Sequence, residues 1–130
     1  MTEELQQFFS FLLVGALWGC TNPFLRSGSK GLVKEDQNDE FNWFQRLVKT
    51  LLDFRFIIPF ALNQSGSMVY YYLLGTADIT LANPICNSLT FAFTAVTSWL
   101  LGEKLGSFLY TAVGIALVLA GVTVCTLSKV

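Results

Sequence analysis

The sequence contains no histidine. That removes the side chain most used as general base, proton shuttle or metal ligand near neutral pH. Charge is scarce as well. Only 13% of the 130 residues are charged and the net charge is -1, so composition gives no electrostatic reason to expect a nucleic-acid partner. There are three cysteines, Cys20, Cys86 and Cys125, each alone inside an apolar run. That placement fits small buried hydrophobes, and neither a disulfide framework nor a zinc site. No motif pairs two carboxylates, and no nucleophile has a base within a recognisable spacing. Asp78 and Glu103 fall in short turns, where they read as turn residues or helix N-terminal charges. Catalysis, a metal and a cofactor are therefore not expected.

What the sequence does have is apolar length. Its apolar fraction is 53% and its mean hydropathy +0.54. One soluble core of this size cannot hide so much apolar surface, whereas lipid can. A helix crossing the hydrocarbon core needs about 20 mostly apolar residues. Four segments qualify, at 5–25, 56–76, 79–101 and 107–127, and none holds Lys, Arg, Asp or Glu. A single such charge at a helix centre costs at least about 2.5 kcal/mol on insertion scales. The runs are continuously apolar rather than alternating, and four strands cannot close a membrane barrel. The expectation is an all-α polytopic membrane protein. Residues 1–130 form one domain of four transmembrane helices with short hairpins and one long loop. The first span is not expected to be a cleaved signal, because its leader carries Glu3 and Glu4 and no basic residue. Pro23, Pro59 and Pro84 each mark a first turn or a kink.

The connections differ in length. Ala77-Asp78 and the stretch 102–106 are tight and force antiparallel neighbours. The loop 26–55 is long and has two parts. Residues 34–40 read as a solvated polar stretch. Residues 41–54 place Phe44, Leu47, Val48, Leu51 and Phe54 at helical spacing against Arg46, Lys49 and Asp53. That pattern suits a short helix in the membrane interface or one packed on the bundle. The long loop carries Arg26, Lys30, Lys34, Arg46, Lys49 and Arg55, and the link 102–106 adds Lys104. The opposite side has only Lys129. The positive-inside rule puts the long loop in the cytoplasm and both termini in the lumen or outside.

Uncharged polar residues gather in three spans. The first holds Trp18, Thr21 and Asn22. The second holds Asn63, Gln64, Ser67, Tyr70 and Tyr71. The third holds Asn83, Asn87, Thr90, Thr94 and Thr97, a stripe at helical spacing. A polar side chain in lipid turns toward a neighbouring helix or a wet cavity. These residues therefore read either as interhelical hydrogen-bonding groups, at about 0.6 kcal/mol each on average, or as the lining of a polar cavity. The cavity set is Trp18, Asn22, Asn63, Gln64, Tyr71, Asn83 and Asn87. The fourth span instead repeats small residues. Gly114 and Gly121, two turns apart, form a packing seam within the chain or between two chains.

Several of these segments resemble a known family. Ala16-Leu17-Trp18-Gly19-Cys20-Thr21-Asn22-Pro23 resembles the opening helix of EamA-type transporters. Leu101-Gly102-Glu103-Lys104-Leu105 is similar to the short acidic turn before their last helix, and the glycine-rich run from Gly114 to Val122 to that helix itself. These transporters belong to the drug/metabolite transporter superfamily, with the small multidrug-resistance exporters. Asn63-Gln64-Ser65-Gly66-Ser67, Tyr70-Tyr71-Tyr72 and the run from Asp78 to Leu89 resemble the transmembrane protein 234 family. The resemblance implies a four-helix unit of transporter type, equal to the subunit of a small exporter that works as a dimer. A homo-oligomer or a heteromeric membrane partner follows as an expectation, within the lipid bilayer. One departure stands out. The small exporters carry a proton-exchanging glutamate in the first helix, and here Trp18 falls near that position. The function implied is passage of a small neutral or zwitterionic solute. The alternative is a non-transporting interaction or assembly protein that keeps the fold.

Overall fold

The computed structural model describes residues 2–30, 40–104 and 106–128. Among them are five helices and no strand: α1 (Thr2–Gly28), α2 (Glu40–Leu51), α3 (Phe54–Leu74), α4 (Ile79–Leu100) and α5 (Phe108–Leu127). The protein is all-α. The polar stretch expected at 34–40 lies outside the described residues save for Glu40, and the side chain of Cys125 lies outside them as well.

Local chemistry sets the helix ends. Asp53 and Asp78 are extended N-caps whose carboxylates accept from the Arg55 and Thr80 N–H groups, each at 3.0 Å. The cap at Asp53 explains why the helix expected over 41–54 stops at Leu51 and a new one begins at Phe54. At the far end of α3 the N–H groups of Gly75, Thr76 and Ala77 fold back onto Tyr72 and Leu73 carbonyls. The hairpin therefore spans 75–78, wider than the two residues expected. Gly102, at φ 74, makes the left-handed turn after α4 that side-chain-bearing residues resist. All three prolines lie inside helices.

α1 is the hub. Among the described residues it lies between α3 and α4, which touch each other little, while α5 packs mainly on α4 and α2 on α3. Residues Gly15, Gly19 and Asn22 meet Leu89, Phe93 and Thr94 in increasing order, so α1 and α4 run parallel. Gly28 meets Arg55 and Phe56 while Trp18 meets Asn63, so α1 and α3 run antiparallel. Gly15 and Gly19 make the close approach to α4 possible. A Cβ on Gly15 would stand 2.5 Å from the Leu89 Cβ, and one on Gly19 would stand 2.7 Å from the Thr90 carbonyl oxygen and collide with Phe93.

The buried core is small: Phe11, Val14, Leu73, Ala82 and Cys86. Most large apolar side chains face outward, among them Phe8, Phe91, Trp99, Leu109 and Leu117. Leu5–Gly28 and Ile79–Leu100 are long and apolar enough to cross a membrane, and Phe108–Val124 is a shorter apolar helix. Only 33% and 22% of the two long stretches is buried. The core helix of a soluble protein would be mostly enclosed. A contiguous outward apolar surface of this extent suits lipid as its solvent.

Candidate polar site

The polar residues of α1 meet those of α3 and α4 in a seam at mid-helix. The Trp18 indole N–H donates to the Asn63 carbonyl oxygen at 3.1 Å. Its ring lies 5.2 Å from that of Tyr70, tilted at 53°. Gly66 leaves the space for it, since a Cβ there would come within 2.9 Å of the indole. The Asn63 amide donates to the Thr21 hydroxyl oxygen at 2.8 Å, and that hydroxyl donates to the Leu17 carbonyl at 2.5 Å. Asn22 donates to the Thr94 hydroxyl oxygen at 3.2 Å. The Tyr70 hydroxyl donates to the Asn83 side-chain oxygen. Ser88 and Thr90 turn back onto their own helix, donating to the Pro84 and Cys86 carbonyls. Among the described residues no buried side-chain nitrogen or oxygen lacks a partner. Unmet polar groups are costly where water is absent, so this pairing is what a lipid environment requires.

Of the seven residues expected to line a cavity, the structure brings Trp18, Asn22, Asn63 and Asn83 into these hydrogen bonds. Gln64, Tyr71 and Asn87 are exposed on the outside of the chain. Asn87 stands one turn beyond Asn83 on α4, so its face continues the Tyr70–Asn83 contact outward. Gly114 and Gly121 have nothing within 4 Å of where a Cβ would stand. The small-residue packing seen within the chain is instead at Gly15 and Gly19. The signal was in the sequence, as two glycines four residues apart in an apolar run.

A cleft opens at each end of α1. One, of about 400 Å³, is lined by Glu3, Gln6, Ser10, Tyr72 and Thr76. The other, of about 500 Å³, is lined by Arg26, Thr94, Ser98, Glu103 and Lys104. Arg26 pairs with Glu103 across that second mouth at 3.9 Å. Between them, from Ser10 to Arg26, is about 24 Å of helix. The first cleft is walled by α1 and the end of α3, the second by α1 and α4. Along the stretch between them Phe11 and Val14 are buried and Trp18, Thr21 and Asn22 make the hydrogen bonds above. The chemistry available in the seam is hydrogen bonding by neutral amides, hydroxyls and aromatic rings.

Two long apolar helices that leave most of their surface exposed and pair polar groups with each other fit a helical transmembrane protein. The family model described as "Putative transmembrane family 234" matches residues 11–126, and the chain belongs to that family. It is 42% identical to the transmembrane protein 234 homolog of Dictyostelium discoideum, over 97% of this chain and 98% of that one. It is 37% identical to the transmembrane protein 234 homolog of Anopheles gambiae, over 97% and 90%. No solved structure matches the chain.

Proposed function

We propose that the chain crosses the membrane four times, through α1, α3, α4 and α5, and is a transporter-type subunit for a small neutral or zwitterionic solute. The observation that carries this reading is the uncharged polar and aromatic seam along α1, with a cleft beside either end of that helix. Such a seam binds without a charge buried in lipid, and its hydrogen bonds can be exchanged for those of a passing amide, hydroxyl or zwitterion. The likeness to drug/metabolite transporters supports it. The orientation follows from charge. Arg26, Arg46, Lys49, Arg55 and Lys104 gather at one end of the helices, which is cytoplasmic under the positive-inside rule. The termini then face the lumen or the outside.

A single chain is incomplete in this reading. The amides of Gln64 and Asn87 and the bare face of α5 stand exposed at membrane depth, and a second copy or another membrane protein covers them. The test is flux into proteoliposomes of neutral amino acids, betaine and polyols. Expected is uptake of at least one class, reduced by Asn22→Ala and Trp18→Ala. A folded sample that moves none of them contradicts transport. The exposed amides favour a second reading, a non-transporting assembly protein. Stable co-purification of one membrane partner, lost in Gln64→Leu or Asn87→Leu and without solute flux, would select it.

A further inference from the structure

A third cleft, of about 650 Å³, lies at the charged end where α1 stops and α3 starts. We propose that it holds the phosphate-bearing headgroup of an anionic lipid. Arg46 and Lys49 line it from α2 and Arg55 lines it from α3. Among the described residues Asp53 is the acidic one lining it, and its carboxylate already accepts the Arg55 N–H at 3.0 Å as the cap of α3. Lys49 and Arg55 stand there beside Arg46, and guanidinium and ammonium groups together suit a phosphate.

Its position selects a lipid over a soluble phosphate, and this rests on the membrane-spanning reading. Arg46 and Lys49 fall on one face of α2, with Phe44, Val48 and Leu51 on the other. Phe44 and Leu51 are 63% and 48% exposed, so α2 leaves its apolar face uncovered by the rest of the chain. Laid in the interface with that face toward the acyl chains, α2 sets its cations at headgroup depth. The walls also include Phe24 and Pro59, apolar surfaces suited to a glycerol backbone and upper acyl chain. Gly28 holds the two helix ends together, since a Cβ there would stand 3.1 Å from the Arg55 carbonyl oxygen.

The test uses the purified full chain in a neutral detergent. The probes are dioctanoyl phosphatidylserine, dioctanoyl phosphatidylinositol 4-phosphate, dioctanoyl phosphatidylcholine and inorganic phosphate, titrated and read by native mass spectrometry and thermal shift. Expected is preferential retention of the anionic lipids over phosphatidylcholine. Lys49→Gln should weaken it about fivefold, and Lys49→Gln with Arg55→Gln about 25-fold. Lys104→Gln, in the neighbouring cleft, should leave it unchanged. Lys49→Gln alone serves if the double variant does not fold. Equal retention of all three lipids, or anionic binding untouched by Lys49→Gln in a folded sample, overturns the proposal. So does inorganic phosphate binding as tightly as the anionic lipids, which would assign the cleft to a soluble phosphate. Carbonate extraction of the native membranes separates the two failures. Release of the chain refutes the membrane-spanning reading, whereas retention with no lipid preference refutes the lipid site alone.

Discussion

The indole N–H of Trp18 donates to the main-chain carbonyl of Asn63, 45 residues along the chain, at 3.1 Å. One bond thereby ties the middle of α1 to the middle of α3, and the ring fills the space left by Gly66. Its two contributions separate by substitution. Trp18→Phe keeps most of the ring and loses the donor, so thermal unfolding in detergent should report a loss near 0.6 kcal/mol and under about 1.7. Trp18→Ala also empties the contact with Tyr70 and should cost about 3–5 kcal/mol. Equal losses for the two variants would mean that the ring contributes nothing to packing.

The approach of α1 to α4 depends on the missing side chains of Gly15 and Gly19. Gly19→Leu places a branched chain against Phe93 and the Thr90 carbonyl. It should destabilise by more than the roughly 1–3 kcal/mol usual for overpacking, because backbone is among the obstacles. Gly114→Leu meets open space within the chain and should leave the melting temperature of the isolated subunit unchanged. Size-exclusion traces with thermal challenge compare the two. A fold insensitive to Gly19→Leu would contradict the parallel α1–α4 contact.

Asn63 and Thr21 are partners at 2.8 Å. A double-mutant cycle with Asn63→Ala and Thr21→Val should return a coupling of about 0.6 kcal/mol, the average for interhelical hydrogen bonds in membranes. Strict additivity would place the two side chains apart.

Topology is open to chemical labelling. In a chain with Cys20, Cys86 and Cys125 replaced, Ser29→Cys and Ser107→Cys should react with an impermeant maleimide from the cytoplasmic side. Thr76→Cys, in the α3–α4 hairpin, should react only from the opposite side. Labelling of positions 29 and 76 from one side would refute the crossing by α3.

The helices were legible because apolar runs and charged links alternate plainly along the chain, and Asp78 announces the start of α4; Asp53, read as part of a helix over 41–54, caps α3 instead. Neighbour relations were harder to read. Helical spacing gathers Asn83, Asn87 and Thr94 on one stripe, yet Asn83 meets Tyr70, Thr94 meets Asn22 and Asn87 is exposed. A stripe fixes a face, and the faces that α1 covers are set by where its glycines permit contact. Gly15 and Gly19 decide that, while the more conspicuous Gly114 and Gly121 stand open. Tyr71 and Gln64 illustrate the same limit on α3. They are polar and lie beside the residues that pair, but the helix turns them outward.

The central place of α1 has a consequence for how the protein is made. Of the described helices it is synthesised first, and its partners follow 42 to 72 residues later. At about 5–20 residues per second, Asn22 waits roughly 4–14 s for Thr94. Throughout that interval the bare glycine face and an unpaired amide are presented to lipid. The nascent chain is therefore most vulnerable before α4 arrives, and an insertase or membrane chaperone able to shelter α1 would act in that window.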